Sequence, residues 1–400
     1  PGVPEMTYVS CLLASRHNAD TVYASFDGRK NSDLNAYLLV SHDRGNNWKS
    51  LNANLPEKWP VFTVAEDHVK ADLLFAGTEF GAFFSIDRGK KWVQLKGGMP
   101  TAAVKDIAIQ ERENDLVLAT FGRGFYILDD YTPLRHLQAS DLNKGAVLFP
   151  VKDALMYIPT RARYGQGSTY YAGTNPPLGA VFTYYLKDSI KTEKQKRQEA
   201  EKKAMKKGIS ITYPTFDQLR AEDEEVPPYL LFTITDDAGN VVRKLKAPVK
   251  TGMNRVVWDF HYPSTGPVNE GTKPFAGGGM LALPGKYSVT MEKCVDGIYT
   301  RLAGPQTFTA KALENTTLPA PDRKALVEFQ EKTAELGRVI RGTAEVLRNL
   351  TTRMKLIEVA ISNTPGVSMD LVKKADSLKE HVKEISRAFF GSLAAGFSIH

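Results

Sequence analysis

One turn, written twice, constrains this chain more than any other feature. Ser41-His42-Asp43-Arg44-Gly45-Asn46-Asn47-Trp48 and Ser85-Ile86-Asp87-Arg88-Gly89-Lys90-Lys91-Trp92 share the pattern Ser-x-Asp-x-Gly-x-x-Trp, 44 residues apart (positions 41 and 85). An apolar run leads into each, Tyr37 to Val40 and Ala82 to Phe84, and the Trp opens another short apolar stretch. Such a hairpin turn needs an Asp to bond its own backbone amides and a Gly where φ is positive. The Trp is expected to pack between neighbouring sheets. Strands of four to six residues repeating at this period are the pattern of a propeller blade.

A third copy is hidden. Setting Gly81 on Gly124 aligns LLFAGTEFGAFFSID with LVLATFGRGFYILDD, residues 116–130. Asp130 then stands where Asp87 does and Leu128 where Ser85 does, while the Gly and Trp have no counterpart. This blade runs three strands, about Val104–Ile109, Leu116–Ala119 and Phe125–Leu128, and leaves through Tyr131-Thr132-Pro133. Its last strand is expected at an open edge.

These blocks support a resemblance. AGTEFG (76–81), ATFGRGFYILDD (119–130) and the TPLR that follows resemble the sortilin-like, Asp-box (BNR) repeat propeller proteins of bacteria, often labelled glycosyl hydrolases by analogy with sialidases. The resemblance covers residues 1–135 closely and the rest as an order of domains. It implies an extracytoplasmic location: secreted, periplasmic or cell-surface. It also implies that Ser41, Asp43, Gly45, Trp48, Ser85, Asp87, Gly89, Trp92 and Asp130 brace turns and do no chemistry. DDAGNVVRKL, NRVVWDF and LPGKYSVT look like the Ig-like modules attached to such propellers.

Four hundred residues with 42% apolar and 24% charged side chains fit two or three globular domains. A propeller ring needs four or more blades and about three are legible, so the chain is expected to be the C-terminal part of a longer propeller. Cys11 and Cys294 fall in different domains, and no disulfide is expected between them. No run approaches eighteen apolar residues, so no membrane span is expected. Much of the net charge of +7 is local to KDSIKTEKQKRQEAEKKAMKK, residues 187–207. That stretch reads as a solvated helix or as contact with an anionic surface. Nucleic acid is a poor fit, because no aromatic residues interleave with the basic ones.

The expected class is mainly β: a partial Asp-box propeller over 1–131, a linker over 132–144, an Ig/fibronectin III-like β-sandwich over 145–311 with a charged helical insertion at 188–228, and an antiparallel helical hairpin over 321–395. In the sandwich, Asp236-Asp237-Ala238-Gly239-Asn240 reads as a hairpin turn and Trp258 as an inter-sheet core residue. The stretch RARYGQGSTYYAG (161–173) is rich in Arg and Tyr. In the hairpin, Leu326, Phe329, Leu336, Ile340, Leu347, Leu350, Met354 and Ile357 keep a heptad seam, as do Leu371, Ala375, Leu378, Val382, Ile385 and Phe389. The first helix outreaches the second, so its early half is expected to dock elsewhere on the chain or on a segment beyond His400.

Strand parity sorts the loops by face. The Asp-box turns share one face with the first-to-second turns, and the opposite face carries Phe26–Asn35, Gly77–Gly81 and Phe121–Gly124. In propeller enzymes and receptors that opposite face usually takes the ligand, a fold-level analogy. It presents Arg29, Asp33, Glu79 and Arg123 as candidate ligand-binding residues. Each has a second reading: Arg123 bonding neighbouring carbonyls or Glu79, Glu79 bracing a turn, and the Arg29–Asp33 loop a solvated insertion. The seven His form no metal-ligand cluster, and the Gly266–Gly279 loop lacks the Lys-Ser/Thr and helix of a phosphate loop, so no metal and no cofactor is expected. No complete glycosidase or sialidase residue set is present, and catalysis is not expected of this chain by itself. Three readings remain: a protein binding a peptide, protein or glycan ligand, a carbohydrate-active hydrolase completed by absent blades, and a scaffold assembling through its helical hairpin.

Overall fold

The computed structural model describes residues 2–157, 159, 173–268, 275, 277–313 and 322–391. It is mainly β with a few helices, and its first part is propeller-like. Strands β1 (Tyr8–Ala14), β2 (Val22–Asp27), β3 (Tyr37–Ser41) and β4 (Lys49–Ser50) form an antiparallel meander in chain order. A second meander repeats it with β5 (Val61–Glu66), β6 (Leu74–Thr78), β7 (Gly81–Ser85) and β8 (Val93–Gln94). The third has β9 (Val104–Gln110), β10 (Asp115–Thr120) and β11 (Phe125–Leu128).

Burial follows from stacking. The second sheet has a neighbour on each face, so β5, β6 and β7 are buried along their whole length, as their unbroken apolar runs require. Leu38, Val64, Leu74 and Trp92 pack between the first and second sheets. Phe75, Phe84, Val104 and Leu116 pack between the second and third. The approach of β9 is close: a Cβ on Gly77 would lie 2.7 Å from the Thr63 methyl and 2.7 Å from the Val104 carbonyl oxygen. Only glycine fits there.

Among the described residues no strand pairs with the outer edge of β11, where Phe125 is 75% and Ile127 60% exposed. A cavity of about 860 Å³ runs beside this edge, lined by Tyr126, Leu128, Phe84, Leu95 and Met99.

Residues 132–144, expected as a linker, are packed structure. Thr132–His136 form a short helix, α1, with Pro133 in its first turn, and a 3-10 turn follows at Ala139–Asn143. Leu134 and Leu137 are buried with Phe149 in the core of the second and third sheets. A buried ion pair fixes the helix: Arg135 donates from Nε and Nη2 to both oxygens of Asp67, at 2.9 and 2.7 Å. The Tyr131 hydroxyl donates to the same carboxylate at 2.5 Å. Asp67 has a fully buried side chain. Burial alone would raise its pKa, but the bonds from Arg135, Tyr131 and the Lys70 amide outweigh burial and hold it below the usual range.

Beyond α1 come β12 (Ala146–Leu148), β13 (Ala154–Met156) and β14 (Ala180–Leu186), then α2 (Glu193–Lys206) and α3 (Phe216–Glu224). Strands β15 (Tyr229–Asp236), β16 (Val241–Ala247), β17 (Gly252–Trp258), β18 (Gly285–Val295) and β19 (Ile298–Ala312) follow. They make a sheet ordered β12-β14-β17 and another ordered β13-β19-β18-β15-β16. The two share one core built on Trp258, Phe182, Phe232, Tyr287 and Phe308. Strand β19, read from sequence as the short Tyr299–Leu302, runs fifteen residues because its far half pairs both β18 and, in parallel, β13. Nearly all of the Arg- and Tyr-rich stretch 161–173 lies outside the described residues.

The basic stretch forms α2, with a Thr192–Gln195 capping box. The expected helical insertion also holds a second, acidic helix, α3. Arg197 bonds Glu222 and Lys194 reaches Asp223, so the two blocks offset each other.

The last elements, α4 (Arg323–Asn363) and α5 (Met369–Phe390), pack through Ala344, Leu347, Met354 and Ala375. The expected docking of the early half of α4 is not made by the described residues: Leu326, Phe329, Leu336 and Ile340 remain exposed.

Breaking the buried pair tests this frame. Arg135→Met leaves the Asp67 carboxylate without its cation and is expected to cost about 3–5 kcal/mol in urea unfolding. The Asp67 contribution is complete above the ordinary aspartate range and is lost as pH falls through its depressed folded value. Asp67→Asn should therefore flatten that part of the acid limb of the stability profile; an unchanged limb refutes the assignment.

Candidate functional site

The two Ser-x-Asp-x-Gly turns fold alike, because one hydroxyl and one carboxylate satisfy the turn's amides. In the first, the Ser41 hydroxyl donates to Asp43 at 2.8 Å and accepts from the Gly45 amide at 2.8 Å, and Asp43 accepts from the Asn47 amide at 2.7 Å. In the second, the matching distances for Ser85, Asp87, Gly89 and Lys91 are 2.7, 2.8 and 2.9 Å. Hydrogen bonds from Asn47 and Ser41 depress Asp43 to about 2. Gly45 and Gly89 have φ of 92° and 81°.

The repeat extends further than the sequence pattern. Arg44 donates its amide to the Asp20 carbonyl and its Nε to the Asp20 carboxylate, and Arg88 does the same to Asp72. Each Ser-x-Asp-x-Gly turn is thus tied to the first-to-second turn of its own sheet. At the third copy, Asp130 accepts from the Thr132 hydroxyl at 2.6 Å, just ahead of α1.

The two Trp residues differ. Trp92 is buried between sheets, donating Nε1 to the Leu51 carbonyl at 2.9 Å. Trp48, expected to do likewise, instead bonds the Gly45 carbonyl of its own turn at 3.0 Å, because its sheet has a described neighbour on one side only.

On the opposite face the four candidate residues separate. Arg29 and Glu79 come together, with Nη1 2.9 Å from the Glu79 carboxylate, while Nε and Nη2 of Arg29 fork onto Asp27. This joins the first sheet to the second. Burial opposes ionisation of Asp27, but the Arg29 bonds prevail and keep it low. Asp33 does not join them: it accepts from the Tyr37 hydroxyl at 2.7 Å and the Asn35 amide at 3.0 Å, bracing its own loop. Arg123 is exposed and makes no hydrogen bond or ion pair with a described residue. The alternative pairing of Arg123 with Glu79 is therefore not formed.

Sequence reasoning missed Lys105. Its ammonium lies 3.3 Å from the ring centroid of Phe62, over which the Arg29 guanidinium also sits at 4.5 Å, and 5.9 Å from that of Phe121. Burial, and then the charge of Arg29, lower the Lys105 pKa; Glu79 and Asp27 offset this only in part. Lys30 lies over Tyr8 at 5.6 Å. Lys105 is the second residue of β9, and no motif marks it, because Phe62 and Arg29 come from the second and first sheets.

No family model matches the chain, and no curated protein does. Among solved structures it is similar to PorZ, a surface component of the type-IX secretion system of Porphyromonas gingivalis, at 13% identity over 76% of this chain and 30% of that one, with a TM-score of 0.25. A GH74 xyloglucanase from Xanthomonas campestris aligns at 13% identity over 74% of this chain and 38% of that one, TM-score 0.25. YCF48 from Cyanidioschyzon merolae aligns at 10% identity over 46% and 51%, TM-score 0.21. The chain spans about a third of the length of the first two. Likeness this weak assigns neither fold nor function.

Ser85→Ala removes the hydroxyl that serves Asp87 and Gly89 in a buried turn. It is expected to lower stability by about 1–2 kcal/mol and leave the opposite face unchanged. Thermal melting alongside any binding assay checks this, and normal melting with lost binding would reverse the assignment of faces.

Proposed function

We propose that this chain belongs to an extracytoplasmic Asp-box propeller protein that binds a peptide, protein or glycan and is itself non-catalytic. In this reading the three meanders are blades, the third completed by a strand from the rest of the propeller, and the two-sheet unit is an Ig- or fibronectin III-like module. The ligand is taken on the face of Arg29, Glu79 and Arg123.

One observation carries the reading. Arg123 stands exposed at the tip of the Gly122–Gly124 turn with no partner among the described residues, while the nearby carboxylates are already engaged. A turn-bracing arginine would spend its donors on the chain. A guanidinium held out by a rigid turn has five donors left for a ligand.

Binding is favoured over hydrolysis for a chemical reason. Glycoside hydrolysis needs two carboxyl groups free to act on the substrate. Asp27 and Glu79 are held by Arg29, and Asp33 by Tyr37 and Asn35. The scaffold reading keeps one observation in its favour, the exposed apolar row of Leu326, Phe329, Leu336 and Ile340 on α4.

Arg123→Ala is the test, on a panel of glycans and peptides. The expected result is affinity lower by roughly tenfold, the loss of about 1.4 kcal/mol, with unchanged melting. Unchanged binding across a panel that does bind leaves Arg123 without this role and removes the ligand face from this part of the ring.

A further inference from the structure

We infer that the tip of the α2–α3 insertion docks on an anionic lipid bilayer, entering its headgroup layer without spanning it. This inference is independent of the ligand face. The insertion is a pair of antiparallel helices: Arg197 meets Glu222, Lys194 meets Asp223 and the Glu193 amide donates to Glu225, so the start of α2 lies beside the end of α3. Asp296, in the turn between β18 and β19, lines a cleft with this base. The other end, residues 202–217, lies one α2 length away, about 20 Å at a rise of roughly 1.5 Å per residue.

Charge divides between the two ends. At the base cations are matched: Lys191 bonds Glu199, Lys196 bonds Glu193, and Arg197 holds Glu201 as well as Glu222. The tip carries Lys202, Lys203, Lys206 and Lys207 against a single carboxylate, Asp217. None of these lysines is ion-paired to a described residue. Lys202 and Lys203 add only a longer-range pull on Glu199, whose bond goes to Lys191. The helix dipole suits lysines at the C-terminal end of α2. At a spacing of four, however, Lys202 with Lys206 and Lys203 with Lys207 repel, and an anionic surface relieves that repulsion.

The dipole does not account for the apolar side chains beside them. Tyr213 is 82% and Phe216 78% exposed, and Met205, Ile209 and Ile211 are exposed with them. No residue of α2 or α3 is buried, so this apolar group covers no core.

The mixture selects the partner. A nucleic acid would take the lysines but offers nothing to isoleucine and methionine. A groove on a protein reads one helix face at regular spacing, whereas these side chains come from two helix ends and the irregular connection between them. A bilayer interface accepts apolar side chains in any order and holds a tyrosine ring at headgroup level. Where its lipids are anionic it also attracts lysines, whose stems reach along the apolar layer while their ammonium groups stay in water.

Co-sedimentation of the whole chain with vesicles tests this, in about 0.1 M salt. The expected result is binding to phosphatidylglycerol–phosphatidylcholine vesicles at least about tenfold tighter than to phosphatidylcholine alone. The double variant Lys206→Gln, Lys207→Gln should weaken it roughly fivefold for each lysine. Tyr213→Ser with Phe216→Ser should weaken it by about tenfold or more, and neither variant should change melting. In Tyr213→Trp, brominated lipid should quench emission beyond the wild-type level. No binding to anionic vesicles, equal binding to neutral ones, or no added quenching overturns the inference. So does binding that ignores the Tyr213 and Phe216 changes, or poly-L-glutamate or duplex DNA bound as tightly as the vesicles, since the tip would then be a patch for any polyanion.

Discussion

The Asp67–Arg135 pair is the contact on which the arrangement of the chain depends. Asp67 directly follows β5, the first strand of the second sheet, and Arg135 lies on the helix that follows the third. Two guanidinium bonds and the Tyr131 hydroxyl satisfy a carboxylate with no exposed surface. Tyr131 meets Phe75 edge-on at 5.2 Å, joining the polar contact to the apolar core. The chain therefore turns back onto the second sheet as soon as β11 ends. This brings Phe149 into the same core and sets β14 and β17 beside the third sheet, where Arg255 bonds the Asp129 and Asp130 carbonyls.

The second sheet is the frame for everything else in the propeller-like part. Its two faces are both apolar, and each needs a neighbour to cover it. The first sheet covers one through Leu38 and Val40, the third the other through Val104 and Leu116. The third sheet has only three strands, and β11 shows the consequence in Phe125 and Ile127, which are solvent-exposed. An edge of unpaired amides and carbonyls with apolar side chains invites a further strand.

The two rims of the stacked sheets have opposite chemical habits. On the side of the Ser-x-Asp-x-Gly turns, serine, aspartate and arginine spend their hydrogen bonds on the turns themselves. On the other side Arg29 bonds Asp27 and Glu79, Asp33 accepts from Tyr37 and Asn35, and Lys105 and Lys30 lie over aromatic rings. A cation over a ring is attracted to it but keeps its capacity for an anion.

Much of this was legible in the residues. The Ser-x-Asp-x-Gly-x-x-Trp repeat fixed the hairpins, because a turn amide, a hydroxyl and a carboxylate within seven residues are local chemistry. Strand parity predicts Arg29, Asp33, Glu79 and Arg123 on one side, of which Arg29 and Glu79 are joined, and the heptad seam gave the hairpin of α4 and α5. What lay beyond local chemistry was hidden. Residues 132–144 read as a linker because their buried partner, Asp67, is more than sixty residues away. Trp48 and Trp92 are identical in pattern and differ in burial, because one sheet has a neighbour on both sides and the other on one. Lys105 carries no motif at all. Its surroundings, Phe62 and Arg29 from two other sheets and Phe121 from its own, meet only because those sheets stack.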